Sequence, residues 1–139
     1  MIFNKLTPNF EVSDIVGTVR FYQSVLGFSL VAAVPETQDG TDMELVEGKP
    51  YVFAIMKRDN VELMFQRSDS FKHDVEIASN EKIEASVSFY IETEEITSLY
   101  DSVKGKVSEI TGLKTTWYGV KEFYMKDLNG YILGFAEKA

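Results

Sequence analysis

The sequence predicts an α/β (α+β) domain built from two copies of one β-α-β-β-β module. Two observations carry that prediction. The same order of elements occurs twice: FEVSDIVGTVRFYQSVLGF lies over FYIETEEITSLYDSVKGKV, strand to cap to helix to glycine, and MKRDNVELMF lies over MKDLNGYILGF, hairpin to hairpin. A repeat this long marks a duplicated module rather than a solenoid. At 139 residues, 45% of them hydrophobic and 26% charged, the chain also suits one globular unit and is too short for two ordinary ones. Module 1 then covers about 1–68, a polar linker about 69–82 and module 2 about 83–139.

In chain order, residues 6–12 alternate as a strand does, with Leu6, Pro8, Phe10 and Val12 on one face. Pro8 donates no ladder bond, which favours an edge. Ser13 and Asp14 are N-cap types, and Ile15, Val19, Tyr22 and Leu26 follow at helical spacing until Gly27 stops the helix. Phe28 to Val34 returns as a strand. Pro35, Gly40, Gly48 and Pro50 mark residues 35–50 as a loop. YVFAIMK (51–57) and VELMFQ (61–66) form a hairpin around Arg58-Asp59-Asn60. Residues 69–82 carry no sustained apolar period and read as the linker.

In the second module Ser86 to Glu92 reads as a strand, and Thr93 as the cap of a helix whose Ile96, Leu99, Tyr100 and Val103 face inward. Gly105 would end that helix. A strand near 106–111, the run TTWYGVKEFYMKD, the turn Leu128-Asn129-Gly130 and the strand YILGFAE complete the chain, the second hairpin turn being three residues longer than the first.

Charge and composition exclude several function classes. Fourteen basic against 22 acidic residues give a net charge of −8, which repels nucleic-acid phosphates and anionic lipid and favours neutral or cationic ligands. No cysteine is present, so disulfides, thiolate nucleophiles and thiolate metal sites are impossible. MIFNKLTPNF has no apolar core of signal-peptide length and nothing approaches a membrane span, so a cytoplasmic protein is expected. No phosphate-cradling glycine loop or nucleophile elbow occurs, and a Ser-His-Asp set would have to use His73, a solvated residue between Lys72 and Asp74.

Two stretches resemble a known family. VSDIVGTVRFYQSVLGF near the start and WYGVKEFYMKDLNGYILGFAE near the end are similar to paired motifs of the glyoxalase/bleomycin-resistance/extradiol-dioxygenase group, the vicinal oxygen chelate superfamily. The resemblance spans nearly the whole chain. It implies that each module curls a mixed sheet into a partial cup, that two modules enclose a cavity, and that helices cover the outside. It also implies a divalent metal held by one inward His or Glu on each of four strands in the family's enzymes. Those positions fall here on Thr7, Glu62, Ser86 and Gly134. One carboxylate, two hydroxyls and a glycine match no transition-metal site, so no metal and no cofactor are expected. The metal-free members, typified by bleomycin-resistance proteins that sequester a drug as dimers, are the nearest likeness.

Strand alternation sorts the remaining candidates. Glu62 lies between Val61 and Leu63 and faces the cup, where it can meet a ligand cation or act as a base, or be simply solvated or arginine-paired. Ser86, Ser88 and Tyr90 share a face, with Phe89 and Ile91 in the core opposite. Trp117 is either a core or lid residue or a stacking platform, and Tyr118 and Tyr124 share that ambiguity. Glu92, Glu94 and Glu95 read as an exposed cluster at a helix start, and Asp127 as turn chemistry.

The expected function is non-catalytic sequestration of a small molecule, cationic or aromatic, by Glu62, Ser86, Ser88, Tyr90, Trp117 and Tyr124 in a homodimer. Two alternatives stay open. One is a metal-dependent lyase, isomerase or dioxygenase using Glu62, waters and substrate; the other is a metal-free enzyme with Glu62 as base and Tyr90 or Tyr124 as acid.

Overall fold

In the computed structural model, which describes residues 1–139, the chain divides into two units, Met1–Lys82 and Ile83–Ala139. Each carries one four-stranded mixed sheet, so the fold is α+β, as the duplicated pattern predicts.

Unit 1 contains β1 (Asn9–Val12), α1 (Ile15–Leu26), β2 (Ser29–Pro35), β3 (Tyr51–Arg58), β4 (Val61–Arg67) and α2 (Ser68–Asp74), with strand order β1-β4-β3-β2. β1 runs parallel to β4, and the other pairs are antiparallel. The Asp14 carboxylate accepts from the Gly17 amide and caps α1, and Gly27 ends it at φ 67°, a left-handed conformation that glycine adopts without Cβ strain. Ile15, Val19, Tyr22 and Leu26 are buried along one stripe of that helix. Tyr22 packs on Phe65, ring centroids 4.8 Å apart, and Phe65 stacks on Phe10 at 5.4 Å. The turn between β3 and β4 contains only Asp59 and Asn60, because Arg58 pairs directly with Val61.

Unit 2 contains β5 (Ser88–Glu92), α3 (Ile96–Val103), β6 (Lys114–Thr115), β7 (Val120–Lys126) and β8 (Ile132–Lys138), in the order β5-β8-β7-β6. Its core joins Ile96 and Val103 of α3 to Phe123, Met125, Leu133 and Phe135. Phe123 stacks on Phe135 at 5.2 Å and meets the Tyr100 ring edge-on at 5.1 Å. Lys126 pairs with Ile132, which leaves 127–131 as the turn, and the Asp127 carboxylate accepts from the amides of Asn129 and Tyr131 within it.

Five local expectations are corrected. β1 starts at Asn9 rather than at residue 6, and Leu6 is 85% exposed, since the proline before the strand leaves no alternating ladder to continue. The segment 69–82 contains α2 and a short 3₁₀ turn, Glu76–Ala78. That helix is held by tertiary hydrogen bonds: buried Gln66 donates to Ser70 Oγ (3.0 Å) and to the Asp74 carboxylate (2.8 Å), and accepts from Asn9 (2.9 Å). β5 begins at Ser88, so Ser86 precedes the strand. Thr93 does not cap α3, which ends at Val103 with Lys104 as its C-cap; the Glu137 carboxylate on β8 receives the amides of Glu95 and Ile96, both at 3.1 Å. Residues 106–111 form only a single bridge, Ile110 to Met125, and the outer strand is β6.

Candidate functional site

The face of the unit 2 sheet opposite Phe123, Leu133 and Phe135 carries the chemistry. Strand register aligns Tyr90 of β5, Gly134 of β8 and Tyr124 of β7 in one row across three strands. Because residue 134 has no side chain, the Tyr124 ring lies directly against the β8 backbone. A β-carbon at that position would sit 2.6 Å from Tyr124 Cε1 and 3.0 Å from Cδ1. The β7 backbone is fixed beside it, with the Tyr124 amide donating to Thr111 Oγ1 (2.9 Å).

Glu122 lies two residues before Tyr124 on the same face and is only 5% exposed. Its carboxylate accepts from Tyr90 Oη (3.1 Å) and from Tyr118 Oη (3.3 Å to one oxygen). The rings of Tyr90 and Tyr118 are 47% and 52% exposed, so they shield the carboxylate while presenting themselves to solvent. Lost hydration, and then the hydrogen bond to Glu122, push the Tyr90 phenol up to about 12, which keeps it a donor throughout the neutral range. Lost hydration and the nearby Glu122 charge also raise Tyr124. Trp117, 94% exposed, meets Tyr118 edge-on at 5.1 Å.

The expected site residues separate by unit. Ser88, Tyr90, Trp117 and Tyr124 all belong to unit 2; Ser88 is exposed on the β5 face that carries Tyr90, and Ser86 is exposed ahead of that strand. Glu62 belongs to unit 1, on β4, where its carboxylate pairs with Lys5 Nζ at 3.0 Å. Glu122 was not among the sequence candidates. The signal that could have found it is the alternation in VKEFYMK, which puts a glutamate on the face opposite the apolar Phe123 and Met125.

The four positions that resemblance assigns to a divalent metal do not fit one. Thr7 and Ser86 offer neutral hydroxyls, and Glu62 is occupied by Lys5. At Gly134 the volume that a ligand side chain would need is filled by an aromatic ring. No cluster of three or more His, Asp or Glu side chains has metal-binding geometry anywhere in the chain.

Unit 1 carries an open groove of about 360 Å³, lined by Glu36, Gln38, Val52, Arg67, Ser70 and His73 among others. Arg67 spans it, held by Asp69 (2.8 Å) and Glu36 (3.0 Å), and the guanidinium holds the Asp69 carboxyl down at about 2.

A four-stranded mixed sheet of this order in each half, with one helix between its first two strands, is the fold of the glyoxalase class. The family model of the Glyoxalase/Bleomycin resistance protein/Dioxygenase superfamily matches residues 9–135, and the chain belongs to that superfamily. Among solved structures, a glyoxalase-related enzyme from Clostridium phytofermentans is 17% identical with a TM-score of 0.67, covering 100% of this chain and 98% of its own. A bleomycin resistance determinant encoded on the transposon Tn5 is 16% identical, TM-score 0.65, with 98% of each chain covered. A bleomycin-binding protein complexed with bleomycin is 16% identical, TM-score 0.64, covering 99% of this chain and 100% of its own. At these identities the likeness is one of fold. No curated protein matches the sequence. No helix is long and apolar enough to cross a membrane.

Proposed function

We propose that this chain is a small-molecule-binding protein of the bleomycin-resistance type, acting in the cytoplasm by sequestration rather than catalysis. The single observation that carries the reading is the Tyr90–Gly134–Tyr124 row beside buried Glu122, an aromatic floor in place of a metal-ligand position. Stacking surface with one fixed negative charge suits a planar or aromatic ligand that is positively charged. The net charge of −8 draws such ligands towards the protein. Superfamily membership and the fold likeness to a protein complexed with bleomycin agree with it.

The alternatives gain less support. A metal-dependent lyase, isomerase or dioxygenase needs donors that Thr7, Ser86 and Gly134 do not supply. A metal-free enzyme using Glu62 as base must first displace the Lys5 ammonium.

Calorimetry with bleomycin and smaller aromatic amines tests the reading, alongside mass spectrometry of each ligand after incubation. Saturable binding with the ligand recovered unchanged is expected, with the melting temperature rising as ligand concentration rises. Trp117→Ala and Tyr124→Leu should each weaken the best ligand about tenfold, the loss of one stacking contact of about 1.4 kcal/mol. Turnover of the ligand would reject sequestration, and equal affinity in both variants would reject the site.

A further inference from the structure

The unit 2 site contains a buried carboxylate that forms no ion pair. Glu122 takes part in none of the chain's ion pairs, and Lys114, its cross-strand neighbour on β6, is exposed and forms no pair with it. Its oxygens instead accept from two phenols. Burying an anion without a counter-charge is unfavourable, and a bound cation would recover that cost.

A cation arriving from solvent cannot reach the carboxylate directly, because the carboxylate is 5% exposed and lies behind Tyr90 and Tyr118. What it meets is ring surface: Tyr90, Tyr118 and the Tyr124 ring laid over Gly134, with Trp117 at the margin. Primary ammonium and guanidinium groups lose strong hydration on entering such a site and need acceptors in return. A quaternary ammonium is weakly hydrated and carries no N–H to satisfy, a tertiary one carries a single N–H, and both fit ring faces by cation–π attraction. A phenol that donates to a carboxylate carries extra electron density, which strengthens that attraction.

We propose that the Tyr90–Tyr118–Tyr124 cluster over Glu122 is a recognition site for a quaternary or tertiary ammonium group, selecting alkylated over primary amines. The inference rests on the small-molecule-binding reading and deepens it by naming the head group.

Choline, ethanolammonium and the neutral isostere of choline, with a tert-butyl group for the trimethylammonium, provide the probes. Affinities for the full chain come from calorimetry and from tyrosine and tryptophan fluorescence. Choline should bind about tenfold more tightly than either of the other two, a cation–π preference of about 1.4 kcal/mol. Tyr124→Leu, which removes a ring but keeps apolar bulk, should abolish that preference. Glu122→Gln, which keeps an oxygen to accept from the phenols, should reduce choline affinity and leave the isostere unchanged. The three-probe comparison on the parent protein stands even if a variant fails to fold. Choline and its isostere binding within about twofold of each other would overturn charge selection and leave small-molecule binding intact. Ethanolammonium binding as tightly as choline would overturn selection for alkylation. Choline affinity unchanged in Tyr124→Leu, or no choline binding by the parent, would overturn the site itself, while binding of bleomycin or an aromatic amine would separately uphold the broader reading.

Discussion

Glu122 and Glu62 occupy comparable places, each on a long strand with apolar neighbours, yet their surroundings differ. Glu62 has a lysine partner and sits at the unit 1 surface, whereas Glu122 is covered by two phenols and has no ionic partner. The Tyr90 phenol reports on that difference. Its folded value, about 12, lies above the ordinary 10, so the folded state keeps a proton that the unfolded chain loses. The stabilisation is complete below pH 10 and disappears as pH rises through about 12. A spectrophotometric phenolate titration should therefore lose its latest-ionising tyrosine in Tyr90→Phe and show that step move back towards the ordinary range in Glu122→Gln; an unchanged titration in both variants would contradict the assignment. Tyr90 and Tyr124 were legible as site candidates because alternation alone fixes the face of a strand residue. The family motif points to position 62, whereas only the register with β5 and the fold of 116–119 bring Tyr90 and Tyr118 over Glu122.

Among the elements, those with an apolar stripe between a cap and a glycine stop were readable, and those held by single polar side chains outside the helix were not. The Asp14 cap, the Ile15–Val19–Tyr22–Leu26 stripe and the Gly27 stop are all encoded within fifteen residues, and α1 follows them. α2 has no buried residue of its own and is held by side-chain bonds from Gln66, two residues before it, to Ser70 and Asp74, which leave no apolar period in the sequence. α3 shows the same effect at its start, where the cap comes from Glu137, forty-one residues beyond Ile96. Gln66→Leu is accordingly expected to destabilise the protein by about 1 kcal/mol, since it leaves the half-buried Asn9 amide without its acceptor and removes the donor to Ser70 and Asp74. Denaturant unfolding measures that loss. Hydrogen exchange should show it concentrated in the amides of 68–75, and uniform loss across β1–β4 would show instead that Gln66 serves the sheet as a whole.

For the whole molecule, duplication was the most legible property, because a repeated order of strand, cap, helix and hairpin survives when individual residues diverge. Even the difference in turn length is retained, with two residues between β3 and β4 and five between β7 and β8. We infer that the chain assembles as a homodimer, a reading that rests on the family resemblance and on sheet edges that pairing would cover. Light scattering should return about twice the 15.8 kDa chain mass, and a monomer at high concentration would reject it. Low salt should strengthen binding of a cationic ligand to the −8 chain and high salt weaken it.

The contact between Tyr124 and the bare backbone of residue 134 also constrains substitution. A β-carbon gained at 134 meets the Tyr124 ring, so substitutions at 134 should be tolerated better once that ring has been made smaller. Each change alone removes something, the smaller ring an aromatic surface and the side chain at 134 a fitted backbone. The two positions are therefore coupled across neighbouring strands, so that the side chain at 124 sets what residue 134 accepts, independently of which ligand is bound.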